Sequence, residues 1–204
     1  MRSISQKKGL SPEDYLRGER KSSIKHEFIN GEVYAMAGAS ANHERICQNL
    51  TRRFGNQLEG SPYEPFGSDM KVRINNNFYY PDVLVDCHFD ESEPYYTQTP
   101  VIIVDVVSPS TRKMDEKTKL IDYLSLPSLQ EYVLIEQDVA DLTVYRKNDD
   151  WRSTHYFLGE KIYFDSIDCT VSVEEIYQRV RNDDVVAYIR EQEALLQLSK
   201  ASQS

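Results

Sequence analysis

YYPDVLVDCHFDESEPYYTQTPVIIVDVVSPSTRKMDEKTKLIDY, residues Tyr79–Tyr123, contains two short apolar runs, Val83–Val85 and Val101–Val107. Each carries an aspartate that apolar periodicity does not explain: Asp82 just before the first run and Asp105 inside the second. A carboxylate in the middle of VIIVDVV is expensive to bury unless it is paired or binds a metal, so the pattern marks a site. Both runs are rich in β-branched residues and bounded by proline-containing breakers, which predicts strands. Two neighbouring strands would bring the two carboxylates to one edge of a sheet. Oxygen ligands of this kind suit Mg²⁺, with Mn²⁺ as its usual substitute, rather than zinc. After Asp105 the chain passes through Ser108-Pro109-Ser110-Thr111-Arg112 into a helix expected over Lys113–Leu124. Folding that helix back would place the ammonium of Lys119 beside the acids.

Working outward toward the N-terminus, Ser11-Pro12-Glu13-Asp14 has a cap residue, a proline at the first helical position and acids in the first turn, predicting a helix from Pro12 to about Glu19. Asn30-Gly31 between Lys25–Ile29 and Glu32–Met36 is a strong hairpin signal. Alternation there puts Glu27 and Ile29 on one face, His26 and Phe28 on the other. A longer helix is expected from Asn42 to about Leu58, with Ile46, Leu50, Phe54 and Leu58 as its core stripe. Met70–Ile74 and Tyr79–Asp86 read as strands, and Asp90–Pro100 as a polar loop. Beyond the central run, strands are expected at Glu131–Gln137, Leu142–Arg146 and Trp151–Phe157, with a short edge at Asp168–Val171 and a helix near Val173–Val180. The tail from Asp183 carries Val186, Ile189, Leu195 and Leu196 in a helical pattern that would cover the sheet or pair with a second copy. No repeat or linker divides the chain, so residues 1–204 are expected to form a single domain: helix and hairpin at 11–37, core at 42–146, meander and helices at 151–200.

A chain of 204 residues is large enough to bury a core without disulfides. Cys47, Cys87 and Cys169 are odd in number and widely spaced, suggesting neither a disulfide framework nor a CxxC zinc site; they are expected to be reduced and mostly buried. No apolar stretch approaches a membrane span, and MRSISQKKGL lacks the apolar segment of a signal peptide, so a cytoplasmic address without membrane attachment is the expectation. The balance of 24 basic against 33 acidic residues, net −9, argues against a protein that coats nucleic acid nonspecifically. It leaves room for an enzyme whose metal ions and a local basic strip offset the repulsion.

The ordered set EFINGEVYAMAG at Glu27–Gly38, YPDVLV at Tyr80–Val85, VIIVDVVSPSTRKMDEKTKLIDY at Val101–Tyr123 and EYVLIE from Glu131 resembles the PD-(D/E)XK nuclease superfamily. More narrowly it is similar to the bacterial Uma-type family of restriction endonuclease-like proteins. The resemblance implies an α/β restriction-endonuclease-like core, a mixed central β-sheet flanked by helices. It also implies Mg²⁺-dependent endonuclease cleavage of DNA, leaving a 5′-phosphate and a 3′-hydroxyl. Carried over residue by residue, Asp82, Asp105 and the backbone carbonyl of Val106 would bind the metal. Lys119 would orient or help deprotonate the attacking water, and Glu27 would be an additional N-terminal acid for a second metal or its water. This sequence has Val107 where the superfamily's lysine would stand, and Lys119 is the substitute from the following helix; Lys117 points to a different side of that helix. His43 matches a family position without a derivable role. A homodimer is expected, because two sites related by a twofold axis cut two strands most simply.

Competing readings accompany each residue. Asp82 also suits a turn at a strand start, Asp105 a structural salt bridge with Lys119, and Lys119 an exposed pair with Asp115. Glu27 also reads as an exposed strand residue, and His43 as a capping or packing residue. His26, His88 and His155 lack ligand spacing. Ser108, Ser110 and Thr111 lack a Gly-x-Ser-x-Gly elbow, which leaves capping and phosphate contact. Arg52, Arg53, Lys71, Arg73, Arg112 and Lys113 are candidate DNA-backbone contacts. The rival functions are a noncatalytic nucleic-acid-binding or protein-interaction module that keeps the fold, and a Mg²⁺ phosphoesterase acting on RNA or a nucleotide.

Overall fold

A computed structural model describes residues 9–107 and 118–201. Helix α1 (Pro12–Glu19) starts as its cap predicts, with the Ser11 hydroxyl accepting the Asp14 amide at 3.1 Å. Strands β1 (His26–Ile29) and β2 (Glu32–Ala35) turn through Asn30 and Gly31, both at positive φ (52° and 85°), the geometry a two-residue hairpin loop demands. Helix α2 (Ala41–Gln57) begins one residue earlier than expected, because Ser40 caps it by accepting the His43 amide at 3.1 Å. Its stripe of Ile46, Leu50 and Phe54 is fully buried.

The remaining elements are β3 (Tyr63–Gly67), β4 (Lys71–Ile74), β5 (Asn77–Tyr79), β6 (Val83–Cys87), β7 (Tyr96–Thr97), β8 (Pro100–Val107), α3 (Leu120–Leu124), β9 (Glu131–Glu136), β10 (Leu142–Arg146), β11 (Ser153–Tyr156), β12 (Lys161–Phe164), β13 (Cys169–Ser172), α4 (Val173–Ile176) and α5 (Asp183–Ala201). They build a five-stranded sheet, β2-β1-β5-β4-β7, a six-stranded sheet, β11-β10-β9-β8-β6-β3, and the hairpin β12-β13. Both larger sheets are mixed, with β8 parallel to β9 and β4 parallel to β7. Alternation along β8 sorts the core. Ile102, Val104 and Val106 pack with Ile46, Leu50 and Phe54 of α2, whereas Ile103 and Val107 pack with Ile29, Val72, Tyr79 and Tyr123 between the two sheets. Asp105 falls on the second face, where periodicity calls for an apolar residue.

Several expected elements are corrected. Tyr79–Asp86 is two strands in two different sheets, because Pro81 has no amide to donate and its ring restrains Tyr80. Asp82 therefore stands at the crossover between sheets. The expected loop Asp90–Pro100 contains β7, and β3 and β12 were not anticipated, since short strands of mixed polarity carry little periodic signal. The helix expected near Val173–Val180 stops at Ile176 after a full capping box between Ser172 and Glu175. Of the helix expected over Lys113–Leu124, the described part is α3, entered at Thr118–Lys119. Ser108, Ser110, Thr111, Arg112, Lys113, Asp115 and Lys117 lie outside the described residues. Helix α5 forms but does not cover the sheet: Val185 is buried, whereas Ile189, Leu195 and Leu196 are at least half exposed. Cys47 and Cys169 are buried free thiols and Cys87 is half-buried.

Candidate active site

The register of β6 against β8 pairs Val83 with Val104, and the Asp82 amide donates to the Val104 carbonyl at 3.0 Å. One residue beyond the end of that pairing, the Asp82 side chain takes over as acceptor: Oδ2 receives the Val106 amide at 2.7 Å. Asp82 is thus clamped to the peptide unit that immediately follows Asp105. A strand residue's amide and carbonyl leave by the same edge, so the Val106 carbonyl also looks toward the side of Asp82, past the point where β6 begins.

Asp105, 2% exposed, receives the Tyr132 hydroxyl on Oδ2 at 2.8 Å from the neighbouring parallel strand. Its Oδ1 lies 3.9 Å from the Lys119 ammonium. Glu27, on β1 of the other sheet, approaches Lys119 more closely, with Oε1 at 2.9 Å from Nζ, and the same oxygen accepts the Tyr80 amide at 3.1 Å. Glu27 and Lys119 are both buried. Lys119 is held in place through α3: the Tyr79 hydroxyl and the Asn77 side chain both donate to Asp122, and the Tyr123 ring packs edge-on between Tyr79 and Tyr132. Three charged side chains, from β1, β8 and the entrance to α3, therefore meet in a buried cluster, while Asp82, at the β5–β6 crossover, is tied to the peptide that follows Asp105.

On the other side of Asp82 stands α2. The Ser40 hydroxyl donates to the side chain of Gln137, whose Nε2 donates to the Val107 carbonyl at 3.3 Å, pinning the start of the helix to the end of β8. One turn in, His43 Nε2 lies 3.2 Å from Asp82 Oδ1, and His43 Nδ1 lies 3.5 Å from Cys47 Sγ. Burial, with Asp82 and Glu44 adding, pushes the Cys47 thiol up from its ordinary range. His43 and Cys47 are four residues apart and share a helix face.

The structure thus brings Glu27, Asp105 and Lys119 together and ties Asp82 to the Val106 amide. Tyr132, Cys47 and Gln137 were missed by sequence reasoning; the i,i+4 spacing of His43 and Cys47 was the available signal. The basic residues are elsewhere or engaged. Arg52 donates to Gln178, Arg53 pairs with Glu175 at 3.0 Å, and Arg73 bonds Tyr96 and Asn75. Lys71 is buried against Tyr80, and burial lowers its pKa. His26 bonds Glu19 and His155 bonds Asp141.

Comparison with known proteins agrees with this fold. The sequence profile of the Uma2 family, described as "Putative restriction endonuclease", matches residues 12–165. Two proteins of Synechocystis sp., both of uncharacterised function, are similar. One, slr1290, is 37% identical over 174 residues, covering 83% of this chain and 92% of its own. The other, sll1609, is 36% identical over 164 residues, covering 77% and 92%. A crystal structure from Anabaena variabilis, described as a "putative nuclease belonging to DUF820", superposes with a TM-score of 0.71 at 14% identity, covering 84% of this chain and 99% of that one. That match shows a shared fold. The family profile takes in Glu27, Asp82, Asp105 and Lys119 alike, and on it the chain belongs to the Uma2 family of restriction endonuclease-like proteins.

Proposed function

We propose that this protein is a Mg²⁺-dependent endonuclease that hydrolyses DNA phosphodiester bonds at the cluster of Glu27, Asp82, Asp105 and Lys119. The observation that carries the reading is the position of the Lys119 ammonium, 2.9 Å from Glu27 and 3.9 Å from Asp105, in a buried site whose remaining acid is fastened to the Val106 peptide. The donor types fit the ion: the carboxylate oxygens of Asp82 and Asp105 and the Val106 carbonyl would supply the all-oxygen ligands that Mg²⁺ and Mn²⁺ prefer. When bound, such an ion polarises a phosphoryl oxygen and acidifies a water.

The chain's own groups do the rest. The Val106 amide and the Tyr132 hydroxyl fix the orientation of the two aspartates, so that little reorganisation is needed as substrate enters. Glu27, oriented by the Tyr80 amide, holds the Lys119 ammonium toward the acids. Lys119 offsets negative charge growing on the phosphate and can exchange a proton with the attacking water. DNA as substrate is supported by the family's description. Double-strand cutting favours a homodimer, for which the exposed Ile189, Leu195 and Leu196 of α5 offer an apolar face. The expected setting is the cytoplasm; among the described residues no helix is long and apolar enough to cross a membrane.

Supercoiled plasmid, single-stranded DNA and RNA, each incubated with Mg²⁺ or Mn²⁺, test the reading. Plasmid should be nicked, and Asp105→Asn and Lys119→Met should each slow nicking by about 100-fold or more, the scale of losing one preorganised charge-stabilising group. A folded protein that cleaves none of these substrates with either metal would leave the noncatalytic module as the function.

A further inference from the structure

We infer that His43, Cys47 and Asp82 form a second cation site, one that selects a thiophilic ion of the Zn²⁺ class and competes for Asp82 with the carboxylate centre. Among the described residues these are the three His, Cys, Asp or Glu side chains whose ligand atoms all lie within 4.8 Å of one another. His43 and Cys47 come from one face of α2, and Asp82 reaches them from the sheet crossover, so the ligands sit on elements already locked by the Ser40 cap and by the Val106 amide. A tetrahedral zinc separates imidazole, carboxylate and thiolate donors by roughly 3.3–3.6 Å, as its bond lengths require. His43 meets its two partners through different nitrogens, Nε2 at 3.2 Å from Asp82 Oδ1 and Nδ1 at 3.5 Å from Cys47 Sγ, and one donor atom from each of the three residues lies within 4.8 Å of the others, so contraction onto an ion is required. An ion would take one of those nitrogens, with the sulfur and the oxygen closing upon it.

The donor chemistry sets the selectivity. A thiolate, an imidazole and one carboxylate suit Zn²⁺ and Co²⁺, whereas Mg²⁺ does not take sulfur. Binding releases the Cys47 proton, which a dication drives off despite the burial that favours the neutral thiol. The side chains of His43 and Asp82 are 15% and 14% exposed, so the pair is accessible to a small ion.

The consequence is exclusive occupancy. Asp82 Oδ2 accepts the Val106 amide and Oδ1 faces His43, so an ion that draws this carboxylate toward His43 and Cys47 competes for it with a Mg²⁺ ion on the Asp105 side. Zinc at this site should therefore suppress Mg²⁺-dependent cleavage. This competition rests on the nuclease reading proposed above; the binding site itself does not.

Titrating the full chain with Co²⁺ as a spectroscopic substitute for Zn²⁺ tests the two parts separately. One equivalent should produce a near-ultraviolet thiolate charge-transfer band and the intense visible bands of a tetrahedral site, and Zn²⁺ should bleach both. Cys87→Ser should retain the charge-transfer band, Cys47→Ser should lose it, and His43→Gln should weaken Co²⁺ binding at least tenfold, with circular dichroism verifying the fold of each variant. Absence of the band in the folded wild-type protein, or its persistence in Cys47→Ser, overturns the site. Should Cys47→Ser fail to fold, unchanged Co²⁺ affinity in His43→Gln overturns it instead. In plasmid nicking, Zn²⁺ should inhibit the wild-type protein far more than Cys47→Ser; equal inhibition overturns the competition. A normal Co²⁺ spectrum without any cleavage would sink the nuclease reading and leave this site standing.

Discussion

Glu27 and Lys119 are ninety-two positions apart and meet at 2.9 Å in a site where both side chains are less than a tenth exposed. Their mutual dependence is measurable by a double-mutant cycle with Glu27→Gln and Lys119→Met, substitutions that keep shape and remove charge. With an effective dielectric of about 20, Coulomb attraction at this separation amounts to about 6 kcal/mol, against about 4 kcal/mol for Lys119 and Asp105 at 3.9 Å. Desolvation offsets much of each value, and removing one partner of a buried pair typically costs about 3–5 kcal/mol, because the other charge stays behind. Urea unfolding of the wild type, both single variants and the double variant should therefore give a coupling energy of about 2 kcal/mol or more between Glu27 and Lys119. The same cycle with Asp105→Asn should give a smaller one. Additivity within about 0.5 kcal/mol for Glu27 and Lys119 would refute the claim that this acid holds the ammonium in place.

Two further outcomes follow from the surroundings of the site. Tyr132→Phe removes the 2.8 Å hydrogen bond to the buried Asp105 carboxylate and should lower stability by about 1.5–3 kcal/mol in urea melts; a change below about 0.5 kcal/mol would mean that Asp105 does not depend on that hydroxyl. Asp86 is fully buried, with Oδ2 accepting from Thr97 and Thr99 and Oδ1 without a hydrogen-bond partner among the described residues, and burial pushes its carboxyl above the ordinary range. A raised folded-state pKa stabilises the protonated native protein: the contribution is complete below the unfolded pKa of about 4 and is lost as pH rises through the folded value. The wild type should lose stability relative to Asp86→Asn as pH increases across that window, and a stability difference independent of pH would refute the assignment.

The two aspartates are anchored differently, and the difference has a structural origin. Asp82 sits where one strand ends and the chain changes sheets, so its carboxylate substitutes for a missing strand neighbour by accepting the Val106 amide. Asp105 sits inside a continuous strand and must satisfy its charge through side chains brought by β9 and by the segment entering α3. The edge position leaves Asp82 an oxygen to share with His43, whereas the interior position surrounds Asp105 with fixed partners.

Local features were legible in the linear chain. Two aspartates set against apolar runs announced themselves because burying an unpaired carboxylate is costly, and the Asn30-Gly31 hairpin and the stripe of Ile46, Leu50 and Phe54 follow from backbone sterics and helical period. Glu27 was a candidate through resemblance alone, and Lys119 through the helix expected to fold back as well as through resemblance. Only the tertiary structure decided that the Pro81 break sends β5 and β6 into different sheets, that Lys119 lies nearer Glu27 than Asp105, and that His43 and Cys47 flank Asp82 from the opposite side. Period and capping are properties of neighbouring residues, so a sequence window contains them. The meeting of β1 with the entrance to α3, or of α2 with the β6 edge, depends on how whole sheets pack, and no local pattern carries that distance.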